Sequence, residues 1–555
     1  MIAMQVLSAA EMQACDRMTT EQFDVPSILL MRAASAAVAS FARRQFASAR
    51  RVTVLCGRGN NGGDGMMTAR LLSEAGLDVT TLLLGSPEDL KGDAADAWRE
   101  LNDPRQGHVH VITAPADLVR HKNVLEADLI LDAVLGTGFT PPMRGLALAA
   151  LEWMRDAKAP VLAVDLPSGW PADETSSTVN EPVFPADAVV TFTAPKPAHV
   201  FGQLTRRWDQ SIVVAPIGSP DAAVVSTLGI DWAGSSLKFA QTPRTAAANK
   251  GNFGHVLVVG GTFGSAGGKA GAPAMASLAA LRAGAGLVTA AVPVPALAVV
   301  ASFAPELMTW PLHATPAGAV SSRDLAPARL KSLLEGKTVL AIGPGLGQSA
   351  ETAKFVIGLL SKTQIPAVVD ADALNILAGK AALLSRLSKK GQRPLVLTPH
   401  PGEMARLAKI TVAEVQANRL ETARGFAQRT GTTVVLKGAR TLIAHPDGRV
   451  AVNTSGNPGM AKGGSGDLLT GLIAGLLAQH PFEPQRAVEA AVYIHGLAAD
   501  LAVHAADEHT LLATDCLAYL PRAFQLMPCE FAIGGENGYV WLQGHCTQAL
   551  RAADQ

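Results

Sequence analysis

The chain has 555 residues, too many for a single hydrophobic core, so two or more domains are expected. Lys plus Arg and Asp plus Glu both number 47, and a formal charge of zero gives no electrostatic case for nucleic acid. Five cysteines without a CxxC spacing indicate free thiols in a reducing compartment rather than structural zinc. Because neither a signal peptide nor a membrane-spanning apolar segment is visible, we expect a cytoplasmic protein.

Residues 51–218 contain short runs of Val, Leu and Ile separated by helical stretches, after an Ala-rich helical segment at 8–47. Continuous apolar runs are typical of strands that are covered on both faces. With helices between them, they predict a parallel sheet in a three-layer α/β domain. The predicted strands are 51–56, 79–84, 129–135, 161–166, 188–193 and 211–215.

A linker is predicted at 221–244, where Ser, Gly and Pro are frequent, and a second α/β array follows. Its predicted strands are 255–259, 287–292, 338–342, 367–370, 395–397 and 433–436. A hairpin is predicted around Asp447-Gly448. We therefore predict an N-terminal Rossmann-like domain at 1–220 and a C-terminal domain at 245–525, both of three-layer α/β/α architecture. A tail of uncertain order is expected at 526–555.

The glycine-rich stretch at 60–65 follows the first predicted strand and precedes a helix. Nucleotide phosphates bind at that position in α/β sheets, although the motif is not GxGxxG. Asp132 and Asp165 each end a buried strand, so these loops should converge where open sheets bind ligands. Asn61, Asp132 and Ser168 offer hard oxygen ligands, which suit an alkali or other hard cation better than zinc. The alternative is that Asp132 and Asp165 only cap the turns that follow them.

A second glycine-rich stretch, at 457–467, packs four glycines around Ser465 and runs into an apolar helix. Glycines let backbone N–H groups approach a ligand, and the helix N-terminus favours an anion. Asp467 would lie at the edge of that anion site, close enough to take a proton from a hydroxyl. A tight turn without function is the alternative. The acid at the helix start and the other glycine loop favour a functional site.

The first array resembles the N-terminal YjeF family, the epimerases of hydrated NADH and NADPH. The matching motifs are Asn60-Asn61-Gly62-Gly63-Asp64-Gly65 and the stretches at 132–138, 164–169 and 194–197. The resemblance implies a site for the hydrated dinucleotide at Asn60, Asn61, Gly62, Gly63, Asp64, Gly136, Thr137, Gly138 and Asp165. It also implies a potassium ion held by Asn61, Asp132 and Ser168, with Asp165 as the candidate for proton transfer. Where the family has Met-Glu-Asn-Ala-Gly, this chain has Met31-Arg32-Ala33-Ala34-Ser35.

The second array resembles the dehydratase half of the same repair enzymes, which has the ribokinase-like fold. The matching motifs are at 250–255, 260–261, 271–273, 343–347, 370–375, 398–403, 437–441, 457–467 and 514–515. The resemblance implies that the hydrated nucleotide contacts Ala272, Gly345, His400 and Asp467. It implies that the adenine nucleotide is held by Lys437, Gly438, Ala439, Arg440, Thr441 and Gly466.

Together the two resemblances imply a bifunctional repair enzyme. The N-terminal domain would interconvert the R and S epimers of hydrated NADH and NADPH. The C-terminal domain would dehydrate the S epimer with ADP, together with Mg²⁺, giving NAD(P)H, AMP and phosphate, with Asp467 as the base. ATP in place of ADP stays open, as do a vitamin-precursor kinase of the ribokinase-like group and a YjeF-type interaction scaffold. The expected partners are these small molecules and further copies of the chain, with neither nucleic acid nor a membrane.

Overall fold

The computed structural model describes residues 4–101, 108–265, 267–390, 393–526 and 538–544. The chain divides into two compact units, one of residues 4–229 with 528–555 and the other of 230–527 with 1–3. Among the described residues, no helix is both long and apolar enough to cross a membrane.

Within its described residues, the first unit contains an eight-stranded sheet. Its first seven strands are β1 (Arg51–Cys56), β2 (Asp78–Leu84), β3 (His108–Ile112), β4 (Leu129–Ala133), β5 (Val161–Val164), β6 (Ala188–Phe192) and β7 (Ser211–Ala215). They are all parallel, in the order β3-β2-β1-β4-β5-β6-β7. The helices are α1 (Ala9–Gln22), α2 (Ser27–Gln45), α3 (Asn60–Glu74), α4 (Gly92–Leu101), α5 (Pro115–Arg120), α6 (Gly145–Met154) and α7 (Pro197–Phe201). The strand order is that of a Rossmann-like sheet extended by one strand, which confirms the prediction.

Side chains of the central strands alternate between two hydrophobic cores, one on each face of this sheet. Val52 and Val54 of β1 pack in one core with α2, α3 and α4. Leu55 packs in the other, which includes Ala150 and Met154 of α6. Helices therefore cover both faces, as the continuous apolar runs predicted.

The second unit contains a ten-stranded sheet within its described residues. Its strands are β8 (Ile230–Trp232), β9 (His255–Val259), β12 (Leu287–Pro293), β13 (Met308–Leu312), β14 (Val339–Ile342), β15 (Ala367–Val369), β16 (Leu395–Leu397), β17 (Thr433–Leu436), β18 (Leu442–Ala444) and β19 (Val450–Val452). A separate antiparallel pair is formed by β10 (Phe263–Gly264) and β11 (Gly267–Gly268). The sheet order is β13-β12-β9-β14-β15-β16-β17-β18-β19-β8.

Neighbouring strands from β13 to β17 are parallel, while β17, β18 and β19 are successively antiparallel. The turn between β18 and β19 contains Asp447-Gly448, which confirms the predicted hairpin. The helices are α8 (Leu237–Ala240), α9 (Gly271–Arg282), α10 (Leu297–Ala301), α11 (Pro327–Leu334), α12 (Ala350–Lys362), α13 (Ala371–Ile376), α14 (Ala381–Lys390), α15 (Pro401–Ala408), α16 (Val412–Ala417), α17 (Arg419–Thr430), α18 (Ser465–Gln479), α19 (Pro484–Ala505) and α20 (Ala513–Gln525).

The interval predicted as a linker, 221–244, is partly folded into the second unit. Its strand β8 pairs in parallel with β19 at the edge of the sheet. Trp232 is 1% exposed, and its indole N–H donates to Thr454 Oγ1 at 2.8 Å. Its ring meets Tyr493 edge-on, with 5.5 Å between ring centroids. Composition did not reveal this strand because it has three residues, and tertiary contacts rather than a periodic pattern hold it in place.

The interval predicted as a tail, 526–555, contains a strand of the first unit. Val540–Gln543 (β20) pairs in antiparallel fashion with β7 and forms the edge of the first sheet. Trp541 packs in the core beneath α2, and the Tyr539 hydroxyl donates to the Ala37 carbonyl oxygen at 2.6 Å. The rest of that interval, apart from 526, 538, 539 and 544, lies outside the described residues.

The role of β8 leads to a prediction about where the second unit can be cut. A fragment 245–526 lacks β8, and the loss of the Trp232 side chain alone should cost about 3–5 kcal/mol of unfolding free energy. We expect fragment 230–526 to be soluble with a single cooperative melting transition, and fragment 245–526 to melt at a much lower temperature or to aggregate. Calorimetry of the two fragments measures this directly, and equal melting temperatures would show that β8 does not belong to the folded unit.

Candidate active sites

The N-terminal candidate site lies where the strand order of the first sheet reverses, between β1 and β4. Loops that leave neighbouring parallel strands in opposite directions open a crevice there, at the carboxyl ends of the strands. The loop after β1 leads into the motif at 60–65, and the loop after β4 contains residues 136–138. A Cβ on Gly136 would stand 3.1 Å from the Asn61 Cβ, so the two segments are in contact.

The motif at 60–65 forms the start of α3 rather than a loop ahead of it, because the helix begins at Asn60. A Cβ on Gly62 would stand 1.9 Å from the Gly57 carbonyl oxygen, an approach that only glycine allows. Gly63 is also buried, whereas Asn60 is exposed at the helix N-terminus. Backbone N–H groups at that end favour an anionic ligand.

A cavity of about 780 Å³ opens beside this end of α3, and α1 and α2 contribute to its walls. Small-molecule sites typically enclose about 300–1,000 Å³, so the cavity is large enough for a nucleotide-sized ligand. The sequence-predicted residues that line it are Asn60, Asn61, Asp64, Gly136, Thr137, Gly138 and Asp165.

Asp132 is buried at the end of β4 and is bonded to Ser168. The Ser168 N–H donates to Asp132 Oδ2 at 2.8 Å, and the Ser168 hydroxyl donates to Oδ1 at 2.6 Å. Burial raises the pKa of Asp132 to about 6. The side-chain amide of Asn61, which contacts Gly136 in the loop after β4, is buried, and neither its oxygen nor its nitrogen has a hydrogen-bond partner among the described residues. An unsatisfied buried amide usually indicates an unseen water or ion.

Asp165 follows β5 with a φ of 66° and forms a buried ion pair with Lys196. Its Oδ1 accepts from Lys196 Nζ at 2.9 Å and from the Thr191 hydroxyl at 2.9 Å, while Oδ2 accepts from the Thr137 N–H at 3.2 Å. Burial alone would raise the pKa of Asp165, but the Lys196 ammonium and the hydrogen bonds from Lys196 and Thr191 act together to hold the pKa below its usual value. Asp165 is therefore an ionised carboxylate. Lys196 lies in the motif at 194–197 that resembles the YjeF family, but the resemblance gave it no role.

Asp64 has the opposite electrostatic environment from Asp165. Burial raises its pKa well above the usual value, and the negative charges of Asp165 and Asp16 raise it further. Asp16 lies on α1 and lines the same cavity, a position that sequence reasoning missed because nothing in its local pattern points to a site. Two carboxyl groups with opposite pKa shifts in one cavity suit an acid and a base.

The residues that replace the family's Met-Glu-Asn-Ala-Gly lie on α2. Arg32 is exposed and pairs with Glu100 at 2.8 Å. Ser35 is buried, and its hydroxyl donates to the Met31 carbonyl oxygen at 2.8 Å and approaches the Asp64 carbonyl oxygen at 3.1 Å. The serine in place of glycine is therefore accommodated, and it joins α2 to α3.

The C-terminal candidate site lies at a similar reversal of strand order, between β9 and β14 of the second sheet. Gly260 follows β9, and a Cβ on it would stand 2.4 Å from the carbonyl oxygen of Pro344, which follows β14. Asp370, His400 and Lys437 follow β15, β16 and β17 at the same edge. Parallel strands thus deliver residues from distant parts of the sequence to one place.

Asp467 lies in the first turn of α18, which begins at Ser465 rather than after the aspartate. Gly464 precedes the helix with a φ of 98°, a conformation that favours glycine. Burial, followed by the negative charge of Asp370, raises the pKa of Asp467 to about 7, although Lys437 acts in the opposite direction. A carboxyl group with a pKa near neutrality is suited to accept a proton during a reaction.

Lys437 lies between acidic groups and the start of α18. Its Nζ donates to Asp370 Oδ1 at 3.0 Å and is 3.8 Å from Glu403 Oε2. A Cβ on Gly466 would stand 3.4 Å from Lys437 Nζ, so the ammonium is next to the glycine of the loop. Asp370 and Glu403 lie in the motifs at 370–375 and 398–403 that resemble the dehydratases, but the resemblance gave neither residue a role.

The rest of the segment 438–441 turns away from that cluster. Gly438 and Ala439 are exposed. The Arg440 guanidinium donates to the Thr454 carbonyl oxygen at 3.2 Å, and the Thr441 hydroxyl donates to the Gly438 carbonyl oxygen at 2.9 Å. Five of the six residues expected to hold the adenine nucleotide thus have two orientations, with Lys437 toward the acidic groups and residues 438–441 forming a turn.

His400 caps the N-terminus of α15, with 52% of its side chain exposed. Its ring Nδ1 accepts from the Gly402 N–H at 3.0 Å, and the backbone N–H of His400 donates to Glu403 Oε2 at 2.9 Å. Burial, followed by the charge of Lys437, lowers the pKa of His400. A neutral ring is therefore exposed at the mouth of this site.

Ala272 and Gly345 lie close together on the other side of the site. A Cβ on Gly345 would stand 3.4 Å from the Ala272 Cβ and 2.6 Å from the Lys269 carbonyl oxygen. Lys269 Nζ is 3.6 Å from Asp372 Oδ2, and its charge lowers the pKa of Asp467. These contacts link Ala272 and Gly345 to the neighbourhood of Asp467.

Two family models match the chain, one in each unit. The model described as YjeF-related protein N-terminus matches residues 27–198, and the model described as NAD(P)H-hydrate dehydratase matches residues 256–522. The bifunctional NAD(P)H-hydrate repair enzyme Nnr of Moorella thermoacetica is 42% identical over 531 residues, which is 93% of this chain and 96% of that protein. The chain belongs to the bifunctional NAD(P)H-hydrate repair enzymes.

A second member of this repair family is also similar to the chain over most of its length. The Escherichia coli enzyme of that name is 36% identical over 510 residues, covering 89% of this chain and 88% of that protein. Among solved structures, the ADP/ATP-dependent NAD(P)H-hydrate dehydratase from Bacillus subtilis, co-crystallised with ATP and Mg²⁺, is 34% identical. That match covers 52% of this chain and 96% of the Bacillus chain, with a TM-score of 0.45. The predicted pairing of an epimerase domain with a dehydratase domain is confirmed by the family.

Proposed function

We propose that the two candidate sites carry out the two steps of NAD(P)H-hydrate repair. As a member of that family, the chain interconverts the R and S epimers of hydrated NADH and NADPH in its first unit. It dehydrates the S epimer in its second unit, and ADP is the donor that yields NAD(P)H, AMP and phosphate. The observation that carries the dehydratase assignment is Asp467, with a pKa of about 7, at the start of α18 beside Lys437.

In the second site, Asp467 accepts the proton of the substrate hydroxyl as the hydroxyl oxygen attacks the terminal phosphoryl group of ADP. The new O–P bond forms while the bond from that phosphorus to AMP breaks. The N–H groups at the start of α18 and the Lys437 ammonium stabilise the negative charge on the transferring group. Phosphate then leaves with the C–O electron pair, a neighbouring ring carbon loses a proton, and the nicotinamide double bond is restored. Phosphate is a far better leaving group than hydroxide.

The donor set of the second site fits a magnesium ion held mainly through the nucleotide. No group of three or more His, Cys, Asp or Glu side chains arranged to hold a metal occurs among the described residues. Mg²⁺ is commonly bound by one or two carboxylates plus substrate phosphates. Asp370 and Asp372 supply the carboxylates, although Asp370 also accepts from the hydroxyls of Thr398 and Thr470 at 2.8 Å each. When bound, the ion neutralises phosphate charge.

The first site fits a potassium ion at Asn61, Asp132 and Ser168. The supporting observation is the buried Asn61 amide, which has no protein partner among the described residues. Asn61 contacts Gly136, and the preceding residue, Leu135, donates its N–H to the Ser168 hydroxyl oxygen at 2.8 Å. Oxygen ligands of this kind suit a hard cation. When bound, the ion supplies positive charge that offsets the repulsion between Asp132 and the phosphates of the substrate.

In the same cavity, the hydrated dinucleotide lies against Asn60, Asp64 and the loop at 136–138. Asp165 remains ionised because of Lys196 and serves as the base, whereas Asp64 holds its proton and serves as the acid. Epimerisation needs the hydroxyl group to leave the reacting carbon and a water to return on the opposite face. The acid gives a proton as the C–O bond breaks and water departs, and the base takes a proton from the incoming water as the new C–O bond forms. Two such carboxyl groups provide both transfers, and exchange with solvent restores their protonation.

The cation site leads to a prediction about potassium. We expect Asp132→Ala to lower epimerase activity and to abolish its stimulation by potassium, because the anionic ligand is lost. Dehydration of the S epimer by the same variant should stay at the wild-type rate. Epimerase rates in potassium and in sodium buffers measure this, with Asp128→Ala, a carboxylate at the opposite end of β4, as the control. A potassium response that survives in Asp132→Ala would return Asp132 to the role of a turn cap.

The pKa of Asp467 leads to a prediction about pH. The base acts only when ionised, so kcat/KM for dehydration should fall tenfold per pH unit below about pH 7 and level off above it. Lys269→Met should move this acidic limb to higher pH, because Lys269 lowers the pKa of Asp467. If kcat/KM instead began to fall only near pH 4, the range of an ordinary carboxyl, Asp467 would be excluded as a base with a raised pKa.

The choice of phosphate donor is tested with the S epimer of hydrated NADH alone. We expect reduced-nicotinamide absorbance to return with ADP and Mg²⁺, with AMP and phosphate formed in equal amounts. Formation of ADP from ATP at a higher kcat/KM would make ATP the donor. A stable phosphorylated product without recovery of NADH would instead indicate a kinase.

A further inference from the structure

We propose that His199 is a positioning residue of the epimerase site, which holds Asp165 and Lys196 in the arrangement that proton transfer requires. This inference rests on the role proposed above for Asp165. No sequence motif singled out His199, and the two active sites described above do not otherwise use it.

The imidazole of His199 bonds the backbone of both members of the ion pair. His199 is fully buried in α7, which follows Lys196 directly. Its Nδ1 accepts from the Lys196 backbone N–H at 3.0 Å. Because Nδ1 is an acceptor, the proton of a neutral ring lies on Nε2, and this nitrogen donates to the Asp165 carbonyl oxygen at 2.7 Å. One ring therefore connects two residues that are 31 positions apart in the sequence.

The backbone of Asp165 needs such support. Its φ of 66° is in the left-handed region, which residues other than glycine seldom adopt unless surrounding contacts enforce it. The Asp165 N–H donates to the Val190 carbonyl oxygen at 2.8 Å, and the carbonyl oxygen accepts from His199. Both backbone polar groups of Asp165, the N–H and the carbonyl oxygen, are thus held by hydrogen bonds. The carboxylate consequently stays directed toward Lys196, Thr191 and the Thr137 N–H.

The imidazole ring of His199 is suited to remain neutral during the reaction. Burial lowers the pKa of His199 to about 4, and the nearby Lys196 charge acts in the same direction. A neutral histidine keeps one donor and one acceptor at neutral pH, which the two bonds require. The bland alternative is a core histidine that fills space and satisfies its own polar atoms without affecting the reaction.

Two amide substitutions separate these possibilities, because each retains a different half of the ring's bonding. His199→Gln can place its amide N–H near the Nε2 position and keep the bond to Asp165. His199→Asn can place its oxygen near the Nδ1 position and keep only the bond from Lys196. The two variants are matched in polarity and neutral charge, so a difference between them reports on the bond to Asp165.

The full-length chain is assayed with the R epimer of hydrated NADH, ADP and an excess of an Asp165→Asn chain, whose intact second unit consumes the S epimer. We expect His199→Asn to lower the epimerase kcat about tenfold, the equivalent of one lost hydrogen bond. Its KM should change little, because His199 does not contact the substrate. His199→Gln should keep at least a third of the wild-type kcat. Dehydration of the S epimer should be unchanged in both variants.

A His199→Asn chain with wild-type kcat would overturn the inference, as would a folded His199→Gln chain that loses as much as the Asn variant. If His199→Asn fails to fold, His199→Met takes its place, because methionine fills a similar volume and also lacks the bond to Asp165. Its kcat should fall about tenfold, and a folded Met variant with wild-type kcat would overturn the inference. A wild-type chain without any epimerase activity would instead overturn the proposed function of the first unit, so the two failures are distinguishable.

Discussion

Asp467→Asn is expected to lower the turnover of the dehydratase by at least about a hundredfold, the lower range for loss of a general base. The asparagine has the same shape, but it cannot accept the substrate proton at neutral pH. Nucleotide binding should stay near normal, since the N–H groups at the start of α18 and the Lys437 ammonium remain. Initial rates with the S epimer and calorimetric titration with ADP measure the two effects.

The control for this variant is Glu421→Gln, which removes a carboxylate whose side chain is 68% exposed on α17 of the same unit. We expect it to behave as wild type. Asp467→Asn should also epimerise the R form at the wild-type rate, because Asp467 is not part of the first unit. Full dehydration activity in Asp467→Asn would remove this residue from the mechanism.

Asp165→Asn is expected to have two large effects on the first unit. Epimerase activity should fall by about a hundredfold or more through loss of the base. The unfolding free energy of the first unit should also fall by about 3–5 kcal/mol, because the Lys196 ammonium, which is 2% exposed, loses its counter-charge. Calorimetry and epimerase assays of the same chain measure both quantities.

The two effects of Asp165→Asn can be separated with a double variant. Adding Lys196→Met removes the unpaired charge, so the double variant should regain much of the stability but none of the activity. Asp156→Asn, at an ion pair with Lys122 in which the Asp156 side chain is 76% exposed, is the matched control and should change neither. An epimerase that tolerates Asp165→Asn would assign Asp165 to binding or folding alone.

The central strands of both sheets could be predicted from the sequence because they are buried on both faces. Strands such as β1 and β14 are continuous apolar runs, and the loops after them carry the glycines and acids. The edge strands escaped prediction for the opposite reason. In β3 and β13 buried and exposed residues are mixed, and β8 and β20 are short and depend on their neighbours for pairing.

Both glycine-rich motifs were correctly placed ahead of a helix but were taken to be loops. Both α3 and α18 begin inside their motifs, at Asn60 and Ser465, although glycine disfavours helix. Tertiary packing outweighs that preference, since Gly62 and Gly471 lie against other backbone segments at distances that no Cβ permits. Local propensity could not show this for α18, because Ala276, the close neighbour of Gly471, lies far from it in the sequence.

The residues that pair with the predicted acids were the part of each site that the sequence predicted least well. Asp165 and Asp467 were identified from their positions after strands and glycines. The ion pairs of Lys196 with Asp165 and of Lys437 with Asp370 join residues 31 and 67 positions apart, and only the tertiary structure brings them together. These partners determine the protonation of the acids, so their chemistry could not be read from spacing alone.

The central claim is that one chain repairs both epimers, and an equal mixture of R and S hydrated NADH with ADP and Mg²⁺ tests it most directly. Followed by reduced-nicotinamide absorbance, the wild-type chain should return all of the NADH, whereas Asp165→Asn should stop near half within the same time. Asp467→Asn should return almost none. A wild-type chain that stops at half, or that restores NADH equally well without any nucleotide, would contradict the account.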